Sequence, residues 1–133
     1  MGAFPQRPYS DMGPVLSSRQ TGQAWEKIAE SFLQKRGLIP REKNFFSRCG
    51  EIDLIMDDGE HLVFIEVKYR RNSHYGGAVE MLGKYKKQRL LLAARYYLAC
   101  NPAFLQRPCR FDFVAIQGNQ ANPEIQWIPN AFT

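Results

Sequence analysis

Apolar and polar positions follow two different spacings along this chain, and the spacing predicts its elements. Between Thr21 and Gly37 the apolar residues recur at helical intervals, which predicts a helix with Thr21 as its N-cap and Gly37 at its end. A second helical stripe lies within residues 80–100. The apolar positions of the two stripes are Ala24, Ile28, Ala29, Phe32 and Leu33, and Leu82, Tyr85, Leu90, Ala93, Ala94 and Tyr97.

Runs rich in branched and aromatic residues predict five β-strands. Residues 50–68, GEIDLIMDDGEHLVFIEVK, contain two of them, joined by a turn at Asp58 and Gly59. The other three are residues 44–47, 109–116 and 125–128, and Pro129 is expected to end the last one. The order αβββαββ predicts an α/β fold with a mixed sheet flanked by helices, because a helical crossover feeds the fourth strand.

The turn at Asp58 and Gly59 also predicts the register of the hairpin. It sets Asp53 opposite Phe64 and Glu51 opposite Glu66, so that Asp53 and Glu66 are diagonal neighbours roughly 7 to 8 Å apart at the backbone. Side chains alternate along a strand, which divides the hairpin into two faces. Charged residues share one face, namely Glu51, Asp53, Glu66 and Lys68, and an apolar set forms the other, namely Ile52, Leu54, Val63, Ile65 and Val67.

This concentration of charge on one face predicts a metal site. A buried carboxylate needs a proton, a cationic side chain or a metal ion to offset its charge. Asp53 and Glu66 offer the hard oxygen ligands that Mg²⁺ or Mn²⁺ prefers, with the Val67 carbonyl as a further oxygen. Lys68 would then orient the attacking water and offset negative charge during phosphodiester hydrolysis. The alternative is a solvent-facing hairpin in which Lys68 is an ordinary ion-pair partner.

These residues resemble a nuclease motif. Asp53 and the tripeptide Glu66-Val67-Lys68 are similar to the PD-(D/E)xK core, and residues 19–132 resemble the YraN-like family of uncharacterised bacterial proteins, which is thought to be related to archaeal Holliday-junction resolvases. The matching segments are RQTGQAWEKIAESFL at 19–33, GEIDLI at 50–55, FIEVKYR at 64–70, KQRLLLAARYYL at 87–98 and RFDFVAI at 110–116.

The resemblance implies a restriction-endonuclease-like architecture and a magnesium-dependent DNA endonuclease, acting on branched or recombination intermediates. It also implies that Glu26 on the first helix completes the catalytic set, although Glu30 lies one turn further along on nearly the same side. Without the resemblance, a solvated helix face explains both acids better. A non-catalytic nucleic-acid-binding module and an adaptor protein with a fortuitous acidic hairpin are the alternative functions.

Composition agrees with a DNA-binding domain. The 133 residues, 44% of them hydrophobic, predict one domain at residues 19–133, after a flexible arm at 1–18 that has three prolines and two glycines. Eighteen basic against thirteen acidic residues give a net charge of +5, which suits a polyanion. Three cysteines without paired spacing argue against a disulfide framework or a zinc site and fit a reducing compartment. Residues 1–18 contain no apolar run of the kind found in signal or transmembrane segments, so we expect a cytoplasmic protein outside membranes.

Basic residues beside the acidic hairpin are the predicted DNA contacts. Arg70 and Arg71 follow the second strand of the hairpin, and further groups project from one side of the second helix, namely Lys84, Lys87, Gln88 and Arg95. A solvated helix face is the alternative for the second set. Cleavage of branched DNA would need two active sites in fixed relation, hence a homodimer. Asp112, between two phenylalanines, is assigned a structural role in pairing with Arg110 or with a helix.

Overall fold

A five-stranded sheet with one helix on each face forms the frame of the protein, in a computed structural model that describes residues 18–70 and 82–132. The elements are α1 (Ser18–Gln34), β1 (Ile39–Ser47), β2 (Gly50–Asp57), β3 (Leu62–Tyr69), α2 (Lys84–Cys100), a 3-10 turn (Pro102–Phe104), β4 (Cys109–Asn119) and β5 (Asn122–Phe132). This order confirms the predicted α/β class and is consistent with a restriction-endonuclease-like core.

The strands lie in the sheet in the order in which they follow along the chain, β1-β2-β3-β4-β5. Strands β1, β2 and β3 form an antiparallel meander. Strand β4 then pairs with β3 in parallel, because the chain returns through α2 before it re-enters the sheet. Strand β5 closes the edge as an antiparallel partner of β4. In the described parts of the chain, no helix is long and apolar enough to span a membrane.

Each helix buries an apolar stripe against its own face of the sheet. Helix α1 packs through Trp25, Ala29 and Leu33, and Trp25 stacks on Tyr69 with ring centroids 4.1 Å apart. Helix α2 packs through Leu90, Ala93, Ala94 and Tyr97 on the other face. The predicted stripes are confirmed at these positions, except that Trp25 was not predicted. Tyr85 is 73% exposed, so its predicted burial is wrong, because it lies in the first turn of α2, on a side away from the core.

Several predicted boundaries differ from the structure. Helix α1 begins at Ser18, so Thr21 lies inside the helix and is not its N-cap. Gly37, with φ of +97°, follows the helix end as predicted. Strand β1 is longer than predicted, and β5 continues through Pro129 to Phe132. An edge strand tolerates a proline because the missing N–H leaves no ladder partner unsatisfied. Residues 1–17, within the predicted arm, and residues 80 and 81 of the predicted second helix lie outside the described residues.

The turn of the hairpin between β2 and β3 is two residues longer than the sequence suggested. Leu54 pairs with Ile65 and Ile55 with Phe64, so the register differs by two residues from the predicted one, which was therefore wrong. The Asp58 carboxylate accepts the N–H groups of Glu60 and His61, which widens the turn to four residues, 58–61. A shift of two residues keeps each side chain on its face. In this register the pair of Leu54 and Ile65 is the one next to Asp53 and Glu66.

Arginine pairs fix the two buried acids that lie outside the hairpin face of Asp53 and Glu66. Asp57 accepts hydrogen bonds from Arg41 at 2.9 Å and from both terminal nitrogens of Arg107 at 2.6 and 3.1 Å. Asp112, with no exposed surface, receives the Arg110 guanidinium at 2.9 and 3.0 Å, together with hydrogen bonds from the Trp127 indole and from the Asn130 N–H. The predicted pairing of Asp112 with Arg110 is confirmed.

We expect Asp112→Asn to destabilise the protein by about 1.5 to 3 kcal/mol, because Arg110 keeps its ion pair with Asp58 but loses its charged hydrogen bonds to Asp112. Urea unfolding measures this change in the free energy of unfolding. Glu124→Gln is the control, since Glu124 is exposed and its carboxylate bonds only to Gln117 among the described residues. A loss for Asp112→Asn no larger than for Glu124→Gln would contradict the structural role.

Candidate active site

Asp53 lies where the regular alternation of strand β2 breaks. Ile52 belongs to the apolar cluster under α2, whereas Leu54 belongs to the cluster under α1. The prediction that these two side chains share one face of the sheet was therefore wrong. The break coincides with Asn44 of β1, whose φ of 52° is unusual for a strand residue. The Asp53 Oδ2 atom accepts the Val67 N–H at 2.9 Å. The Asp53 side chain thus accepts a hydrogen bond that a backbone carbonyl would accept in a regular sheet, and its carboxylate lies between β2 and β3.

Two further acids approach Asp53 from the α1 side. One carboxylate oxygen from each of Glu26, Glu51 and Asp53 lies within 4.8 Å of the others. Glu26 comes from α1, as the resemblance implied. Glu30 instead pairs with Lys43 at 3.5 Å, away from this cluster. The oxygens of the three acids are close enough to one another to bind a single cation.

Glu66 reaches Asp53 from the opposite strand and is 5% exposed. Its Oε2 atom lies 3.0 Å from the Lys86 ammonium. Lys68, two residues further along β3, is exposed. In the described part of the chain, the ion pair of Glu66 is therefore with Lys86 of helix α2, which was not predicted as a site residue.

Burial strongly perturbs the proton affinities of these acids. Loss of solvent contact, with smaller contributions from neighbouring carboxylates, raises the pKa of Asp53 to about 7. Burial, and next the charge of Asp53, raises the pKa of Glu66 to about 7 despite the Lys86 ammonium. Burial also raises the pKa of Glu26. Ionising these acids therefore costs free energy in the folded protein, because the nearby Lys86 ammonium does not offset the cost of burying their charge.

The acids are accessible from both faces of the sheet. A cavity of about 220 Å³ on the α1 side is lined by Gly22, Gln23, Glu26, Asn44, Phe46, Glu51 and Asp53. A second cavity of about 190 Å³ on the α2 side is lined by Gly50, Glu51, Asp53, Glu66, Lys86, Arg89 and Leu90. Glu51 and Asp53 line both cavities, so a ligand in either one contacts the same carboxylates.

The predicted DNA contacts have different positions relative to these cavities. Lys84, Gln88 and Arg95 are exposed on α2, and the Lys87 ammonium lies 5.9 Å from the Phe132 ring centroid. The Arg70 N–H donates to the Ile116 carbonyl at the end of β3, and Arg71 lies outside the described residues. The cations that line the acidic cavity under α2 are instead Lys86 and Arg89.

Two residues of the site, Glu51 and Lys86, were not predicted for it. Glu51 had a sequence signal, since it precedes Asp53 by two residues in the same strand and was assigned to the charged face. Lys86 had none, because only the packing of α2 on the sheet directs it toward Glu66. Helix α2 contains several basic residues, and their spacing along the sequence does not indicate which of them contacts an acid of the sheet.

Comparisons with known proteins identify relatives over most of the chain. The model of the family described as uncharacterised protein family UPF0102, which is the YraN-like family, matches residues 25–116. The UPF0102 proteins of Yersinia pseudotuberculosis serotype O:1b, strain IP 31758, and of Yersinia pestis biovar Antiqua, strain Angola, are each 48% identical over 118 residues. The alignment covers 88% of this chain and 97% of each relative.

We expect Asp53→Asn to stabilise the metal-free protein at pH 8 by about 1 to 3 kcal/mol, with a smaller gain at pH 5. The folded pKa of Asp53, about 7, exceeds its ordinary 3.8, so the folded protein binds more protons between these values and loses stability as the pH rises toward 7. The asparagine removes that charge and can still accept the Val67 N–H.

Urea unfolding in EDTA at both pH values measures this difference. Glu60→Gln is the control, because the Glu60 side chain is 81% exposed in the hairpin turn. If Asp53→Asn were equally or less stable than the unmodified protein at pH 8, the buried charge at Asp53 would not be destabilising.

Proposed function

This chain belongs to the uncharacterised protein family UPF0102, and from the geometry of its acidic site we propose that it is a metal-dependent DNA endonuclease that hydrolyses phosphodiester bonds. One observation carries the proposal: three carboxylates from α1 and β2 present oxygens within 4.8 Å of one another, and Glu66 of β3 adjoins them through Asp53. Side chains of separate elements converge here although their like charges repel.

The ligand set fits a hard divalent cation. All of its donors are carboxylate oxygens, which Mg²⁺ and Mn²⁺ prefer over nitrogen and sulfur ligands. The Glu26 Oε1 atom is buried and has no hydrogen-bond partner among the described residues, a costly condition that a cation would relieve. Asp53, with Glu26, Glu51 and Glu66, would hold the cation, and the Val67 carbonyl remains a predicted further ligand. When bound, the cation would supply charge stabilisation at the phosphoryl group.

The other residues of the site orient the reactants. Lys68 is exposed at the end of β3, beyond Glu66, and in the proposal its ammonium orients the attacking water and offsets developing negative charge. Asp53 and Glu66 act in the proposal as ligands of the cation. The buried strands beneath them hold these carboxylates in fixed positions.

Basic groups around the site favour DNA as the substrate. Lys86 and Arg89 line the acidic cavity, and the exposed cations of α2 extend the positive surface. Arg70, Lys84, Lys87, Gln88 and Arg95 remain the proposed phosphate contacts, together with Arg71. Such contacts give salt-dependent affinity with little sequence preference. Branched DNA is the proposed substrate form, and its cleavage would require a homodimer that presents two sites.

We expect the purified protein to cleave DNA in Mg²⁺ or Mn²⁺ and not in EDTA, with branched DNA preferred over linear duplex and single strands. Asp53→Asn and Glu66→Gln should each lower the rate by about 100-fold or more, because each removes a charge that holds the cation. Gel assays on the three DNA forms measure these rates.

Glu60→Gln is the matched control, since it neutralises an exposed acid of the same hairpin and should retain full activity. Equal background in the unmodified protein and in both site variants would exclude cleavage. A salt titration of DNA affinity would then show whether the alternative, a binding module without catalysis, holds.

Cation binding itself is testable without DNA. We expect Mn²⁺ to raise the midpoint of thermal unfolding at pH 8, because a ligand that binds only the folded state stabilises it by mass action. Asp53→Asn should abolish most of that rise, whereas Glu60→Gln should keep it. A rise of the same size in all three proteins would place the bound cation elsewhere.

A further inference from the structure

The ion pair between Lys86 and Glu66 joins a buried group to an accessible one. The two charged atoms lie 3.0 Å apart, and the side chains are 47% and 5% exposed, respectively. Glu66 is fixed in the sheet, whereas the lysine, on its long unbranched stem, can turn toward solvent. The pair can therefore open on the Lys86 side without any change in the strands.

Helix α2 holds Lys86 at the border between the apolar core and the acids. Lys86 precedes the buried Leu90 by one helical turn and so lies on the same side of the helix. The neighbouring Arg89 donates from Nε to the Cys49 carbonyl at 3.1 Å, and a Cβ on Gly50 would lie only 3.5 Å from the Arg89 side chain. This hydrogen bond connects the first half of α2, which carries Lys86, to the turn between β1 and β2.

Charge balance in the site gives the ion pair a role. Four acids meet here, Glu26, Glu51, Asp53 and Glu66, and in the described part of the chain Lys86 is the cation in direct contact with one of them. A divalent cation placed among these oxygens would lie near the ammonium and be repelled by it. Lys86 and the cation thus compete for the same negative charge.

We propose that Lys86 is the internal counter-ion of the acidic site: it neutralises Glu66 in the metal-free protein and lowers the affinity of the site for a divalent cation. The inference rests on the proposed function, since it concerns the same carboxylates. When the cation is bound, the ammonium turns toward solvent at the rim of the acidic cavity, where it attracts a phosphodiester. Lys86 is thus a counter-ion for Glu66 in the metal-free protein and a contact for the substrate in the metal-bound protein.

A structural ion pair and a counter-ion predict opposite effects when the charge is removed. If Lys86 only held Glu66 in place, Lys86→Gln would disturb the carboxylate and weaken cation binding. As a competing counter-ion, its removal leaves the acids with a larger net negative charge and strengthens cation binding. The glutamine amide can still donate a hydrogen bond to Glu66, so the geometry is retained while the charge is lost.

Mn²⁺ titration by calorimetry at pH 8 on the full-length protein tests the proposal. We expect Lys86→Gln to lower the dissociation constant for Mn²⁺ about tenfold and to raise the KM for DNA. Lys86→Arg keeps the charge and should stay within about twofold of the unmodified protein for Mn²⁺. Lys35→Gln, an equal charge change at an exposed position outside the site, in the turn after α1, should likewise leave the Mn²⁺ affinity unchanged.

The outcomes separate this inference from the proposed function. Mn²⁺ binding that requires Asp53 but has the same or lower affinity in Lys86→Gln would overturn the counter-ion role and leave the nuclease proposal intact. Absence of Asp53-dependent binding in the unmodified protein would overturn both. In EDTA at pH 8, Lys86→Gln should also unfold at a lower temperature than Lys35→Gln, because Glu66 loses its cationic partner.

Discussion

Surplus negative charge buried between two β-strands is the constraint on which the rest of this site depends. Asp53 leaves the regular alternation of β2, accepts the Val67 N–H and lies beside Glu66. Burial raises the pKa of both acids to about 7, so ionising them in the folded protein costs free energy that an apolar side chain at these positions would not. A strand interior has no packing reason for such charges, which points to a ligand-binding role.

The buried acids elsewhere in the sheet show what a purely structural arrangement looks like here. Arg107 is the main cause that holds the pKa of Asp57 well below its usual range, with Arg41 as a second guanidinium partner. Asp112 has Arg110 and two further donors. These carboxylates are saturated by hydrogen bonds, whereas Glu66 has one lysine partner and Asp53 accepts the Val67 N–H beside two other acids. The same sheet therefore contains acids with matched cationic partners and, around Asp53, a group of acids without enough of them, for which we propose a function.

Topology explains how these groups meet. The parallel pairing of β3 with β4 requires the chain to cross one face of the sheet through α2, and that crossing carries Lys86 and Arg89 to the end of the hairpin. Helix α1 covers the opposite face and brings Glu26. Membership of UPF0102 adds no activity by itself, so the proposed cleavage of DNA depends on the chemistry of these side chains.

The sequence by itself determined the α/β class, the order of the elements, the buried stripes of both helices and the motif residues Asp53 and Glu66, because all of these follow from local periodicity and residue type. Only the tertiary structure decided the hairpin register, the entry of Glu51 into the acid cluster and the pairing of Glu66 with Lys86. The register depended on side-chain hydrogen bonds of Asp58 that widen the turn. The partner of Glu66 depended on how α2 packs across the sheet. A contact between segments that are distant along the chain produces no regular spacing of residues from which it could be predicted.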